Sequence, residues 1–201
     1  TLRIAADATL AEQTLTQVEV VEAGALFTTV RIQKRLLHCQ VEQTLTLWNN
    51  DARLDLQTRI YWWGAHRQQV RMVLPSTADR ADITYGAPFY GVGWTESAEG
   101  TSPRNSDEIL PADQISYREM QGWLHSRGER GGMTILTTHP AFHHEESKLA
   151  AVLLRTSPSC GDNRLFWENA GEQIFTFTLR LNDSDWRAAH VQQQAAQQLR
   201  P

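Results

Sequence analysis

Residues 41–60 read Val-Glu-Gln-Thr-Leu-Thr-Leu-Trp-Asn-Asn-Asp-Ala-Arg-Leu-Asp-Leu-Gln-Thr-Arg-Ile. Leu45 and Leu47 alternate with Thr44 and Thr46, and Leu54, Leu56 and Ile60 alternate with Asp55, Gln57 and Arg59. A period of two sends apolar side chains to one side of a strand and polar ones to the other. Between the runs stands Asn49-Asn50-Asp51. Asn and Asp tolerate the left-handed region and bond to their own backbone, so this triplet marks a turn. Two half-buried strands joined by a short turn predict antiparallel sheet with one face to water.

The same pattern spreads in both directions. Val18 and Val20 share a face, as do Leu26, Thr28, Val30 and Ile32. Val70, Met72 and Leu74 alternate with Arg71 and Val73 until Pro75 stops the run, and further strand signals lie at 122–125, 133–136 and 149–154. Phe175, Phe177, Leu179 and Leu181 alternate with Thr176, Thr178 and Arg180. Only the tail departs from this. Residues 186–199 are rich in Ala and Gln with no Gly or Pro, which predicts a short helix in the later part. No strand–helix alternation occurs. The reading is all-β, a large antiparallel β-sandwich of two packed sheets, as one domain over 1–201.

The chain has 201 residues, a length one β domain can reach, and can bury a core without staples. No apolar run approaches the roughly 20 residues that span a bilayer, so no membrane partner is expected. The formal net charge is −4 and the basic residues are scattered, which argues against nucleic acid. Cys39 and Cys160 form no CxxC pair and read as two free thiols, in keeping with a cytoplasmic location. The chain opens at Thr1 on a strand-like segment without a charged and apolar leader. The expectation is a C-terminal piece of a longer protein, with its chemistry elsewhere.

Several clusters invite a functional reading. His139, His143, His144, Glu145 and Glu146 crowd together, but Pro140 interrupts helical spacing and the HExxH order is absent. A solvated polar loop is the reading, with a sugar- or metal-contacting loop as alternative. Gly161-Asp162-Asn163-Arg164 follows a strand that ends at Arg155. Gly, Asp and Asn suit a turn, whereas the guanidinium of Arg164 beside Asp162 suits either sugar hydroxyls or a surface ion pair. Seven tryptophans are many for this length. Most read as core, and Trp94, in the aromatic stretch from Tyr85, is the candidate for stacking on a sugar ring. The glycines of 86–93 lack the strand–helix setting of a phosphate cradle. No two carboxylates stand out as an acid–base pair, so these motifs alone name no enzyme.

Taken in order, several segments resemble one family. Val20-Val21-Glu22-Ala23-Gly24-Ala25-Leu26 is similar to a "VxExGPL" strand start, with Ala25 where Pro is usual. Leu54-Asp55-Leu56 through Trp63, then His66 and the run from Val70 to Pro75, resemble a strand, a W-x-x-H spacing and a strand ending in Pro. Tyr85, Pro88, Phe89 and Gly91 resemble "Y-x-x-P-x-G", and Trp123 with residues 131–135 resembles a "W-V" strand followed by "GV-x-L". Leu153-Leu154-Arg155-Thr156-Ser157-Pro158 is close to "LLRSP". Residues 171–179 and Asp185-Trp186-Arg187 resemble the closing strand and tail. Together they resemble the C-terminal β region of glycoside hydrolase family 38, the α-mannosidases.

That resemblance implies a galactose-mutarotase-like super-sandwich. It implies that an upstream catalytic barrel of the same polypeptide carries the zinc, the nucleophile and the acid–base carboxylate of a retaining glycosidase. No catalytic residue and no cofactor would then lie in this chain. The β region would buttress the barrel and lend residues to the mannoside subsite. Asp162-Asn163-Arg164 best matches an arginine of the family in a short acidic cluster, although Leu165 stands where that pattern has Gly. The substrate-binding residues expected are Arg164, Asp162 and Trp94. A stand-alone carbohydrate-binding module and a purely structural interdomain module stay open as alternatives.

Overall fold

Residues 41–47 and 54–60 form neighbouring antiparallel strands, as their alternation predicts. The computed structural model describes residues 2–6, 9–10, 14–36, 39–64, 68–76, 78–96, 116–129, 131–145, 148–156 and 170–199. Among these the strands are β1 (Leu2–Ala6), β2 (Thr9–Leu10), β3 (Thr14–Ala23), β4 (Phe27–Leu36), β5 (Cys39–Trp48), β6 (Arg53–Trp62) and β7 (Gln69–Val73). There follow β8 (Ile83–Ala87), β9 (Tyr90–Gly93), β10 (Tyr117–Glu119), β11 (Trp123–Gly128), β12 (Gly131–Leu136), β13 (Ala141–Glu145), β14 (Lys148–Arg155) and β15 (Gly171–Asn182). A single turn of 3-10 helix, Arg80–Asp82, precedes β8, and one α-helix, α1 (Val191–Gln198), closes the described chain. The fold is all-β with antiparallel pairing. No helix among the described residues is long and apolar enough to cross a membrane.

The chain divides into two compact units, residues 1–73 with 151–178, and residues 74–150 with 179–201. In the first, hydrogen bonds run β3-β4-β5-β6-β15 in one sheet and β14-β7-β1-β2 in the other. The β5–β6 register pairs Cys39 with Trp62, Val41 with Ile60, Gln43 with Thr58, and Leu45 with Leu56. Val41, Ile60 and Trp62 are sealed from solvent. The second sheet meets this face through Met72 on β7, whose sulfur accepts from Gln43 Nε2 at 3.6 Å and Thr58 Oγ1 at 3.5 Å. Two buried polar side chains in a core would each be costly alone. Here Gln43 Nε2 also donates to Thr58 Oγ1 at 3.3 Å, so the pair is satisfied internally. Cys39 is free and buried, and burial pushes its thiol up to about 12. A thiol held that far from its thiolate is chemically inert. Cys160 lies outside the described residues.

The opposite face of β4–β6 is polar and cross-braced. Asp55 accepts from Trp48 Nε1 at 2.8 Å, Arg53 Nε at 2.9 Å and Thr178 Oγ1 at 2.6 Å. Burial alone would raise its carboxyl. The bonds from Arg53, Thr178 and Trp48 and the Arg53 charge outweigh that and hold it below the ordinary carboxylate value. Arg31 pairs with Glu19 at 2.8 Å, and Arg59 pairs with Glu172.

In the second unit β12, β11, β8 and β9 lie in sequence beside residues 179–182 of β15, and β10 and β13 lie beside residues 148–150 of β14. The Ala- and Gln-rich tail becomes α1 from Val191, as its composition predicts. Val191 and Ala195, one turn apart, are buried against Trp123 and Leu136, with Trp186, Ala189 and Leu199 alongside. Asp185 starts the turn before α1 by accepting from the amides of Arg187 at 2.7 Å and Ala188 at 3.0 Å.

Core dependence follows from the register. Ile60→Ala is expected to destabilise the chain by about 2–5 kcal/mol. Leu47→Ala, at a position 49% exposed on the neighbouring strand, is expected to change stability by less than about 1 kcal/mol. Urea unfolding followed by fluorescence checks the contrast.

Candidate functional site

The stretch 83–94 folds as a tight hairpin whose glycines are explained by close approach. A Cβ on Gly86 would lie 2.2 Å from the Gln121 carbonyl oxygen and 2.7 Å from Trp123 Nε1. The Gln121 amide in turn donates to the Gly86 carbonyl at 2.8 Å. A Cβ on Gly91 would lie 2.9–3.0 Å from the rings of Trp123 and Trp186, which stack with centroids 5.1 Å apart. The glycines therefore let backbone and indole rings touch, with no role for a phosphate.

Trp94 follows this hairpin and is completely buried. Tyr85 meets its ring edge-on with centroids 6.2 Å apart, and His144 tilts against it at 5.9 Å. The Arg118 guanidinium sits 5.9 Å from the ring centroid and donates to the Trp94 carbonyl from Nη2 at 2.8 Å and Nε at 3.3 Å. Burial pushes the Arg118 guanidinium down from its ordinary value, yet those bonds satisfy the cation where it lies. An indole enclosed in this way has no ring face open to a sugar. Trp94 was expected to stack on substrate, and the structure assigns it to the core of its unit. Asp162 and Arg164, the other two expected contacts, lie outside the described residues.

Part of the histidine cluster is a strand rather than a solvated loop, with His139 before it and Glu146 outside the described residues. His143, His144 and Glu145 belong to β13, and alternation along β13 turns His144 inward until it is 4% exposed. Its Nε2 lies 2.9 Å from the Ala78 carbonyl, which can only accept, so Nε2 carries a proton. Nδ1 accepts from Arg80 Nε at 3.4 Å, and Arg80 Nη2 donates to the His144 carbonyl at 2.9 Å. His143 lies 3.7 Å from Glu145, on the other side of the strand. Among the described residues no three His, Cys, Asp or Glu side chains gather as a metal site.

A second buried histidine lies in β11. His125 Nδ1 is 3.0 Å from Thr134 Oγ1, which also accepts from Asn182 Nδ2 at 3.2 Å. Its Nε2 is buried without a hydrogen-bond partner. Burial, the largest influence, pushes its pKa down, and nearby Arg127 adds to this while Asp185 opposes it.

The tryptophans divide as their surroundings allow. Trp62, Trp94 and Trp123 are buried, while Trp63 is 53% exposed with Arg35 5.5 Å from its ring. Among the described residues the most open aromatic side chain is Phe89 at the tip of the β8–β9 hairpin, fully exposed beside Tyr90 at 61%. Neither Arg118 nor Phe89 stands out in the sequence as special. Arg118 sits in an unremarkable Tyr-Arg-Glu strand. The Pro88-Phe89 pair does carry a turn signal, since Pro suits the second position of a type II turn.

Residues 4–156 match the glycosyl hydrolases family 38 C-terminal domain. The chain belongs to that family. Two solved structures from Enterococcus faecalis share its fold, a protein in glycosyl hydrolase family 38 and an alpha-mannosidase, each 14% identical with TM-scores of 0.65 and 0.66. They match over 94% and 95% of this chain, and this chain spans 25% and 24% of theirs. A galactose mutarotase related enzyme from Lactobacillus acidophilus is similar at 10% identity and a TM-score of 0.39, over 85% of this chain and 73% of its own. No curated protein matches the chain.

Two outcomes follow from these buried groups. Trp94→Ala is expected to destabilise by about 3–5 kcal/mol, measured by thermal unfolding, so it cannot separate binding from folding. His125 has a folded pKa below its unfolded value of about 6.5, so the unfolded chain takes up the proton first. Its contribution is full above that value and is lost as pH falls below it. Stability is expected to decline from pH 7 to pH 5, and His125→Gln to flatten that decline in unfolding curves across the range.

Proposed function

We propose that this chain is the C-terminal β domain of an α-mannosidase-like glycoside hydrolase, supporting a catalytic barrel of the same polypeptide and helping to bind mannoside. The family match over residues 4–156 carries this reading. Its length, about a quarter of the two Enterococcus faecalis proteins, agrees with a domain that works beside a larger catalytic part.

Surface chemistry also supports a buttressing role. On β3, Val18 is 55% and Val20 64% exposed, on the same face as Leu47 at 49%, with Leu26 at 69% on the adjoining turn. Exposed apolar residues grouped on one sheet face are typical of interaction sites. The partner in this reading is the barrel, which would supply the zinc, the nucleophile and the acid–base carboxylate of a retaining mechanism. Asp162 and Arg164 are the residues proposed to reach the substrate, a guanidinium being able to donate two hydrogen bonds to neighbouring sugar hydroxyls.

The whole polypeptide is expected to hydrolyse an aryl α-mannoside and to lose that activity when zinc is removed by a chelator. Arg164→Ala is expected to lower kcat/KM by about 10- to 100-fold, the range of one hydrogen bond to a charged group, with thermal unfolding unchanged. Full activity in Arg164→Ala would remove that residue from the subsite. A polypeptide without any α-mannoside hydrolysis would overturn the reading.

A further inference from the structure

Ala87 and Tyr90 pair across the end of the β8–β9 hairpin, leaving Pro88 and Phe89 as a two-residue turn. Phe89 has φ 74°, the left-handed region. A type II turn needs that geometry at its third position and normally takes Gly or Asn there. A bulky side chain in this region strains the backbone, and such strain persists where the surroundings impose it or function requires it. The surroundings do hold the hairpin base. Gly91 packs on Trp123 and Trp186, and Trp94 is locked by Arg118. The ring itself returns nothing to the fold, because Phe89 is 103% exposed. A strained position thus carries a large apolar side chain wholly in water, next to Tyr90 at 61% exposure.

We propose that the Phe89–Tyr90 tip is a docking knob that seats in an apolar socket on the catalytic part of the same polypeptide. The shape decides between occupants. Sugar rings are held in concave sites where several polar groups converge. A single ring projecting from a rigid hairpin is convex and fits a socket, as an aromatic anchor does at the centre of a protein interface. The occupant follows from length, since this chain spans only a quarter of the solved family 38 structures. This inference rests on the reading of the chain as one domain of a longer glycosidase.

Hydrogen exchange of residues 87–91 tests it, measured in this chain alone and in the whole polypeptide. The expected result is exchange at least about tenfold slower in the whole polypeptide, as for amides shielded by a partner. Phe89→Asn is expected to raise the melting temperature of this chain by about 2–4 °C by relieving the turn. In the whole polypeptide the same substitution is expected to lower the melting temperature and abolish the protection, with Phe89→Tyr retaining both. Equal exchange in the two proteins, alongside α-mannoside hydrolysis, overturns the docking knob and leaves the functional reading intact. Protection without any hydrolysis upholds the knob and removes that reading. Protection in this chain alone that grows with its concentration assigns the tip to a second copy and overturns the proposal. A gene that encodes nothing beyond this chain removes both.

Discussion

The pairing of β5 with β6 fixes what every other part of the first unit can do. Val41 against Ile60 and Leu45 against Leu56 put four apolar side chains on one face, while Asp55, Arg59 and Glu42 turn to the other. Shifting that ladder by one residue would exchange the faces completely. The arrangement is then pinned from both sides. Met72 receives the two polar hydrogens of Gln43 and Thr58 within the core, and Asp55 gathers Trp48, Arg53 and Thr178 on the polar side. Neither set of contacts exists in another register. The turn at Asn49 joins in, with its Nδ2 donating to the Gly24 and Ala25 carbonyls at 2.9 Å each.

The second unit is organised differently, around buried polar groups rather than uninterrupted apolar packing. Arg118, His144, Arg80 and His125 all sit inside or against its core. Buried charge and imidazole are costly unless bonded, and of these groups His125 keeps one ring nitrogen unpartnered. Backbone carbonyls do most of that bonding here, at Trp94, Ala78 and residue 144 itself. These contacts link residues of different short strands and the turns beside them. The aromatic rings of Tyr85, Trp94 and His144 close the gaps between them.

Much of this architecture was legible in the residues. Alternation located the strands of the first unit, and the tail's composition located α1. The ordered motifs pointed to the family, which the match over residues 4–156 shows. What escaped was decided by contact across long sequence distances. His139, His143, His144, Glu145 and Glu146 look like a solvated loop. They include a strand because His144 finds Ala78 and Arg80 some 64–66 residues away. Trp94 looks like a binding-loop aromatic until Arg118, 24 residues on, covers it. Nor does any linker or change of composition mark the division into two units. The exposure of Phe89 was hidden for a different reason, since the sequence shows a turn without showing what surrounds it.

The route of the chain through the two units has a consequence for its synthesis. The first unit begins at residue 1 but is completed only by residues 151–178, after residues 74–150 of the second and before its residues 179–201. Gln68 exchanges backbone and hydroxyl hydrogen bonds with Thr156, 88 residues later, and Asp55 awaits Thr178, 123 residues later. Until those residues leave the ribosome, β7 lacks the neighbour that β14 provides, and the β3–β6 sheet has two open edges. Contacts this distant in sequence form slowly, because the loop between them must be closed first. The nascent chain therefore holds an unfinished sheet from residue 73 until residues 151–178 have been made, when unpaired strands are open to pairing with other chains. The register shifts in β3 at Leu15/Gln17 and Val20/Glu22 bend one of those edges out of regular pairing. Among the described residues β3 remains the outer strand of its sheet, so these shifts blunt a lasting edge rather than one that awaits a partner.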